Sequence, residues 1–147
     1  MNVLRRDTDY ALRMMVNLAG HFNSGRSVSA RQLTAQGNFS YQLGCKILQK
    51  LHKAGMVESR MGPKGGFILS REPSKITLMD IINVLQSGIR LNKCLLGGDG
   101  CEFASECEIN TKLSSLQLYI DGYLGGITLE QILQDQQKTK SKAGGVA

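Results

Sequence analysis

Three cysteines lie close together in the second half of the sequence. Cys94, Cys101 and Cys107 are separated by six and five residues, and three glycines lie between the first two. Thiolates bind soft or borderline metals, and a glycine-containing loop can wrap three of them around one centre. The gaps are wider than those of zinc knuckles and ribbons. The spacing therefore suits an iron-sulfur cluster whose fourth ligand comes from elsewhere.

Other interpretations of the cysteines and the nearby acids stay open. Three cysteines in one loop can form a thiol switch that closes a disulfide on oxidation, or they can be buried and unreactive. We interpret Cys45, outside the loop, as a small packing residue. Asp9 can have a purely structural role, because the helix dipole stabilises a carboxylate in the first turn of a helix. The acids of the loop are interpreted as solvated: Asp99, Glu102, Glu106 and Glu108.

A second set of side chains, in the first half of the sequence, suits contact with DNA. On a helix over 40–54, one polar face opposite an apolar stripe carries Gln42, Lys46, Gln49, Lys50 and Lys53. Glutamine hydrogen-bonds base edges, while lysine neutralises phosphates. We expect Ser40 and Tyr41 at the start of this helix to point into the groove. The predicted interface also includes Ser29, Arg31, Arg60 and Lys64.

The elements that must position these residues follow from the spacing of apolar residues and from helix caps. Apolar steps predict helices over 8–21, started by Asp7 or Thr8, and over 40–54, capped by Ser40. Ser29 and Gln32 have the spacing of a capping box, which opens a helix through Gln36 that carries Leu33 and Ala35 inward. Short strands are predicted over 56–61 and 66–70. In this order the elements form a winged helix-turn-helix in a mainly α fold.

The remaining elements follow the wing. Thr77 with Asp80 predicts a helix to Gly88, and 92–107, which hold the three cysteines, are a structured loop. Thr128 with Gln131 opens a short helix, and from Gln136 onward we expect a frayed tail. The predicted organisation is a DNA-binding region over 1–75, a region with the cysteine loop and dimerisation helices over 76–135, and a flexible tail over 136–147.

A helix of about sixteen residues between the loop and the tail carries an apolar seam with heptad-like steps. A lone helix with such a seam needs a partner helix, so the sequence predicts a homodimer. Gly122 and the pair Gly125 and Gly126 are expected to end this helix. The residues of the seam are Ile109, Leu113, Leu116, Ile120 and Leu124.

The distribution of charge supports a polyanionic partner for the first half. The 147 residues carry a formal charge of +6. Residues 1–75 hold twelve Lys and Arg against four acids, while residues 76–147 hold six against eight.

No apolar run approaches the length of a membrane span, and Asp7, Asp9 and Arg13 interrupt any signal-peptide core, so we expect a cytoplasmic protein. An enzyme is not expected, because no nucleophile-base pair, phosphate loop or paired-histidine motif occurs.

Taken in order, these pieces resemble the Rrf family of bacterial winged-helix repressors. The matching segments are TDYALR at 8–13, KILQKL at 46–51, KAGMV at 53–57, GPKGG at 62–66, the three-cysteine loop and ITLE at 127–130. The resemblance implies a homodimer crossed through the long C-terminal helix, a winged helix on a double-stranded DNA operator, and an iron-sulfur cluster on the three cysteines. A four-iron four-sulfur cluster is favoured over a two-iron two-sulfur cluster.

Two departures from the family pattern and one match to a subgroup narrow the set of cluster ligands and DNA contacts that the resemblance implies. Arg60 stands one position earlier than the wing arginine of many members, which places its side chain on the other face of the strand. Asn110 stands where the cluster-assembly regulators have a histidine ligand, so that ligand set is not implied. The nitric-oxide sensors can use an aspartate of the first helix, from the partner subunit, and Asp9 lies in the matching segment. The ligand pattern is therefore nearest to the nitric-oxide sensors and iron regulators.

These inferences lead to one preferred function and one alternative. We expect a dimeric DNA-binding regulator, acting as a repressor, whose operator affinity depends on an iron-sulfur cluster that senses redox state, nitric oxide or iron. The alternative is a winged-helix regulator without a cluster, controlled by thiol oxidation or by a protein partner.

Overall fold

The structure is a computed structural model that describes residues 3–95 and 101–144. Gly97, Gly98, Asp99 and Gly100, which the sequence assigns to the cysteine loop, lie outside the described residues. The helices and strands follow in the order α1 Arg6–Gly20, α2 Ala30–Gly37, α3 Tyr41–Lys53, β1 Val57–Arg60, β2 Gly66–Leu69, α4 Leu78–Gln86, α5 Glu108–Gly126 and α6 Leu129–Gly144. Among the described helices, none has the length and apolar character needed to cross a membrane.

A helix-turn-helix is formed by α2 and α3. The predicted capping box is present, with the Ser29 hydroxyl accepting from the Gln32 N–H at 3.2 Å. Asn38 ends α2 in the left-handed conformation, and the Ser40 hydroxyl caps α3. The two helices approach so closely at Gly44 that a Cβ there would lie 2.2 Å from Thr34 Cγ2. The turn and its caps therefore agree with the prediction from sequence.

The wing is a two-stranded antiparallel hairpin of β1 and β2, with Val57 opposite Leu69 and Arg60 opposite Gly66. A third segment joins it, because Val28 and Phe67 exchange two backbone hydrogen bonds of 3.0 and 2.8 Å. This bridge fastens the wing to the segment before α2. The predicted fold, a mainly helical winged helix with a small hairpin, is confirmed.

One core joins the elements before and after residue 75. Residues of α1 and α3 pack in the same buried cluster as Ile81 and Leu85 of α4 and Leu129 of α6. A second backbone bridge, between Thr77 and Thr128, ties the start of α4 to the start of α6. The chain therefore returns to the winged part after α5.

Four local predictions differ from the structure. Helix α1 begins at Arg6, with Arg5 in the cap position, since Thr8 is fully buried and its hydroxyl donates to Gln86 instead. Thr34 is buried in α2 where Ala35 was expected, because its hydroxyl donates back to the Ala30 carbonyl. Gly122 lies within α5, which ends at Gly126. Residues 136–144, where a frayed tail was expected, are exposed and continue α6.

Candidate nucleic-acid interface and cysteine loop

The outer face of α3 is polar and cationic. Its apolar side buries Ile47, Leu48 and Leu51 against the core. The opposite side leaves Gln42, Lys46, Gln49, Lys50 and Lys53 exposed. An exposed helix face that carries lysines and glutamines, and no acid, can neutralise phosphates and hydrogen-bond base edges.

Tyr41 stands at the first turn of α3 between two side chains. The guanidinium carbon of Arg31 in α2 lies 5.3 Å from the centre of its ring, within cation-π range. The side-chain interaction with Cys45, one turn later, raises the pKa of the Tyr41 phenol above its usual range. Arg31 therefore holds the Tyr41 ring on the exposed side of the helix-turn-helix.

Two of the predicted DNA contacts are capping residues. Ser29 and Ser40 each accept a backbone N–H of the following helix with the side-chain oxygen. Their role in the structure is to set where α2 and α3 begin. Lys50 also has an intramolecular partner, because its ammonium lies 3.7 Å from the Asp7 carboxylate at the start of α1.

A cationic groove runs between the wing and the start of α2. Its lining includes Arg26, Ser29, Gln32, Arg60 and Lys64. The Arg60 guanidinium donates to the Gly25 carbonyl at 3.2 Å, so this side chain folds back onto the segment before α2. Sequence reasoning missed Arg26, because only the bridge from Val28 to the wing brings it there.

The three loop cysteines lie on both sides of the undescribed segment. Cys94 is half-buried in a 3-10 turn over Lys93–Leu95, Cys101 is exposed, and Cys107 is half-buried at the N-cap of α5. All four cysteines of the chain are free thiols. Within residues 3–95 and 101–144, no three side chains of the types His, Cys, Asp or Glu come together closely enough to hold a metal ion.

The chemistry of these donors still suits a soft metal centre. The thiols are unpaired and at least partly accessible, and Cys107 is the N-cap residue of α5. Asn110 lies one turn into α5 and donates from Nδ2 to the Ala104 carbonyl at 2.8 Å. Its Oδ1 is buried, and no hydrogen-bond partner for it is present among the described residues. Asn110 therefore holds the segment between Cys101 and Cys107 against the helix.

Two glutamines that sequence reasoning missed hold the chain just before the cysteine loop. Gln86, at the end of α4, accepts from the Arg5 N–H and the Thr8 hydroxyl and donates to the Gly88 carbonyl. Gln117 of α5 is buried, donates to the Ile89 carbonyl at 2.8 Å and accepts from the Leu91 N–H at 3.0 Å. We call Gln86 and Gln117 the glutamine clamp. No sequence signal marks them, because a polar residue on a helix is ordinarily exposed.

Asp9 lies on α1 and opens into a groove beside Arg6, Arg13 and Asn38. Its carboxylate pairs with Arg13 one turn later, at 3.0 Å. In the single chain, this ion pair and the first turn of α1 account for Asp9.

The predicted seam on α5 is partly covered within the chain. Leu113, Ile120 and Leu124 are half-buried, whereas Ile109 and Leu116 are 70% and 47% exposed. Tyr119 and Tyr123 continue the exposed apolar surface and stack on each other, with ring centres 6.4 Å apart. The α5 helix therefore presents an uncovered apolar edge beside its contact with α4.

Comparison with known proteins identifies this arrangement of a winged helix, a cysteine loop and a long helix. Residues 4–135 match the family described as Rrf2, iron-dependent transcriptional regulators. The chain belongs to the Rrf2 family. It is similar to an HTH-type transcriptional regulator of Aquifex aeolicus, with 32% identity over 131 residues that cover 88% of this chain and 90% of the relative.

Solved structures support the same assignment. The structure is similar to IscR of T. potens, with a TM-score of 0.76, 28% identity, and coverage of 92% of this chain and 89% of that one. It is also similar to CymR, the global cysteine regulator of B. subtilis, with a TM-score of 0.71, 26% identity, and coverage of 90% and 96%. This Rrf2-family protein is a DNA-binding transcriptional regulator and not an enzyme.

Proposed function

We propose that the protein is a homodimeric repressor whose affinity for a double-stranded operator is set by an iron-sulfur cluster on Cys94, Cys101 and Cys107. One observation carries this proposal. Three free thiols lie between the segment that the glutamine clamp holds, which ends at Leu91, and the start of α5. When bound, the cluster supplies a centre that is altered or lost on reaction with oxidants or nitric oxide, or when iron is scarce.

The winged half supplies the contact with DNA. The exposed face of α3 enters the major groove, with Gln42 at base edges and Lys46 at phosphates, and the cationic groove beside the wing binds the adjoining backbone. Two such units bind two half-sites when the uncovered edge of α5 pairs with that of a second chain. The dimer acts in the cytoplasm, where the operator lies.

The glutamine clamp connects the cysteine loop to the winged half. Gln117 fixes Ile89 and Leu91, three residues before Cys94, while Gln86 fixes Gly88 to the start of α1. At that start, Asp7 contacts Lys50 of α3. A change of order in the loop therefore acts on both α5 and the N-terminus of α1, and so on the spacing of the two recognition helices.

The test begins with purification of the full chain without oxygen, followed by visible absorbance and analysis of iron and sulfide. We expect coloured protein in which Cys94→Ala, Cys101→Ala and Cys107→Ala each abolish the absorbance. Cys45→Ala serves as the matched control and keeps it, because Cys45 contacts Tyr41 on α3. Absorbance retained by any of the three loop variants would remove that cysteine from the ligand set.

We infer Asp9, from the partner subunit, as the fourth ligand. A carboxylate ligand can be replaced by water, so Asp9→Ala should still assemble a cluster, but with a shifted spectrum and faster loss in air. Arg13→Ala is the control, because it removes the other half of the ion pair of Asp9 and leaves the carboxylate. If the spectrum and the rate of cluster loss are unchanged in Asp9→Ala, then Asp9 is not a ligand and has only its structural role in α1.

A cluster-free regulator is the second candidate, favoured by one observation: the described residues do not bring three ligand-type side chains together. In that case a disulfide among the loop cysteines, or a bound protein, provides the signal. Colourless wild-type protein whose DNA affinity changes reversibly with diamide and dithiothreitol would support the disulfide. Colourless protein whose DNA affinity does not change with either reagent would support control by a protein partner.

A further inference from the structure

The apex of the wing carries an apolar side chain in full contact with solvent. Met61 is 96% exposed and directly follows the last residue of β1. Single exposed apolar residues are common on protein surfaces, so its exposure alone indicates no function. Its position is informative, because the wing of this DNA-binding protein borders the groove that holds Arg26, Arg60 and Lys64.

The backbone of the apex that follows Met61 is held by hydrogen bonds. The Ser27 hydroxyl donates to the Lys64 carbonyl at 2.5 Å, and the Gly65 N–H donates to the Gly62 carbonyl at 2.9 Å. Gly65 has no room for a side chain, since a Cβ there would lie 2.4 Å from the Arg60 carbonyl oxygen. A braced backbone at the apex loses little conformational freedom on binding, which lowers the entropic cost of inserting a side chain from it.

The cation next to Met61 already has an intramolecular partner. Arg60 donates its guanidinium to the Gly25 carbonyl, in the segment before α2. In the apex loop, Met-Gly-Pro-Lys-Gly over 61–65, only Met61 and Lys64 have long side chains. The apex loop therefore combines one long uncharged side chain, Met61, with one long cationic side chain, Lys64.

We propose that Met61 is an apolar wedge that enters the minor groove beside each half-site and selects deformable base steps there. This inference rests on the proposed contact of the wing with DNA. Apolar side chains, including methionine, insert between base steps from the minor groove and partly unstack them. Pyrimidine-purine steps such as TA unstack easily, whereas stiff A-tracts have a narrow, electronegative minor groove that favours an inserted arginine. A wedge and a cation thus predict opposite preferences for the flanking sequence.

The experiment uses the full-length dimer and a palindromic duplex selected by the wild-type protein from a random library. The duplex is rebuilt with either a TA step or an AAAA run at the position flanking each half-site. Met61→Ala should lose about tenfold in affinity for the TA duplex and little for the AAAA duplex, with an unchanged salt slope. Met61→Leu keeps an apolar wedge and should stay within about twofold of wild type on both duplexes.

Two further variants distinguish a wedge from a phosphate contact. Met61→Arg should reverse the preference toward the AAAA duplex and steepen the salt slope by about one per half-site. Lys64→Ala should weaken both duplexes alike and make the slope shallower by about the same amount. Equal losses on the two duplexes for Met61→Ala, or no loss on either, would overturn the wedge. Wild-type protein that selects no duplex at all would instead overturn the proposed contact with DNA, and the wedge with it.

Discussion

At the scale of single residues, neighbouring side chains on the exposed face of α3 have different tasks. The Gln42 amide can both donate to and accept from a base edge, whereas the Lys50 ammonium can only donate and already lies near Asp7. We predict that Gln42→Ala relaxes the preference at one base pair per half-site, by about 1–3 kcal/mol. Lys50→Ala should weaken all sequences alike and make the salt slope shallower by about one per protomer.

Titrations of wild-type and variant protein against a set of singly substituted duplexes, at several salt concentrations, measure both effects. Gln136→Ala is the control for loss of an exposed glutamine on a helix outside the proposed interface. If Gln42→Ala and Lys50→Ala both weaken every duplex equally, Gln42 has no part in reading bases.

The residues that sequence reasoning located are those whose surroundings are local. Ser29 with Gln32 and Thr77 with Asp80 cap helices through contacts three residues apart, and such contacts are visible in the sequence. The hydrogen bonds of Gln117 and of Arg60 could not be predicted in this way. Their partners, Ile89 and Gly25, lie 28 and 35 residues away, and only the folded chain brings them together.

At the scale of elements, the approach of α2 to α3 depends on the absence of a side chain at Gly44. A Cβ there would meet the stiff, buried Thr34 side chain at 2.2 Å. We predict that Gly44→Ala lowers the free energy of unfolding by about 1–3 kcal/mol, although alanine is the better helix former. Urea unfolding at a fixed protein concentration measures this change.

Gly122 provides the matched control for this substitution. It is also within a helix, but no atom lies within 4 Å of the position where a Cβ would stand. Gly122→Ala should therefore raise the free energy of unfolding by about 0.5–1 kcal/mol. Thr34→Ser removes the opposing methyl and keeps the hydroxyl, so it should offset part of the loss in Gly44→Ala. Destabilisation of similar size at both glycines would contradict a specific contact between α2 and α3.

The glutamine clamp constrains the segment before the cysteine loop through the hydrogen bonds of Gln117. Gln117→Leu leaves the Ile89 carbonyl and the Leu91 N–H without their partner, at a cost of about 1–3 kcal/mol for a buried group. Amide hydrogen exchange should then rise in residues 88–95 and remain unchanged in α3. Ser115→Ala, at an exposed site two residues away on α5, should leave exchange in this segment unchanged. Unchanged exchange in Gln117→Leu would exclude the clamp as the constraint on this segment.

Helix α6 is longer than the apolar pattern of the sequence predicts. The sequence predicts only a short helix from Thr128, because no apolar period continues beyond Leu133. In the structure α6 extends to Gly144 as an exposed polar helix, anchored near its start by the buried Leu129. Residues 136–142 are all Gln, Lys, Thr or Ser, and Gln and Lys are good helix formers. Once a helix has begun, each added residue gains a backbone hydrogen bond.

At the scale of the whole molecule, the two halves differ in charge yet share a core. The basic half presents α3 and the wing, while the second half contributes α4 and Leu129 to the same core and leaves the edge of α5 uncovered. Because α4 packs against both α1 and α5, the position of α5 fixes the orientation of the winged part. Pairing of two α5 helices would thus set the distance between two recognition helices.

We predict that charges placed on the uncovered edge of α5 separate the dimer. Ile109→Asp with Leu116→Asp places charges on the uncovered edge of α5, where both side chains are largely exposed in the single chain, so the fold should persist. Sedimentation should show monomers, and the affinity for a palindromic duplex should fall by about 100-fold or more, because two linked half-site contacts become independent. Leu118→Asp is the control, since Leu118 is 73% exposed but lies on the opposite side of the helix from Ile109, at about 100° per residue. It should remain dimeric and bind as wild type does, whereas a dimer that survives in the double variant would move the interface away from this edge.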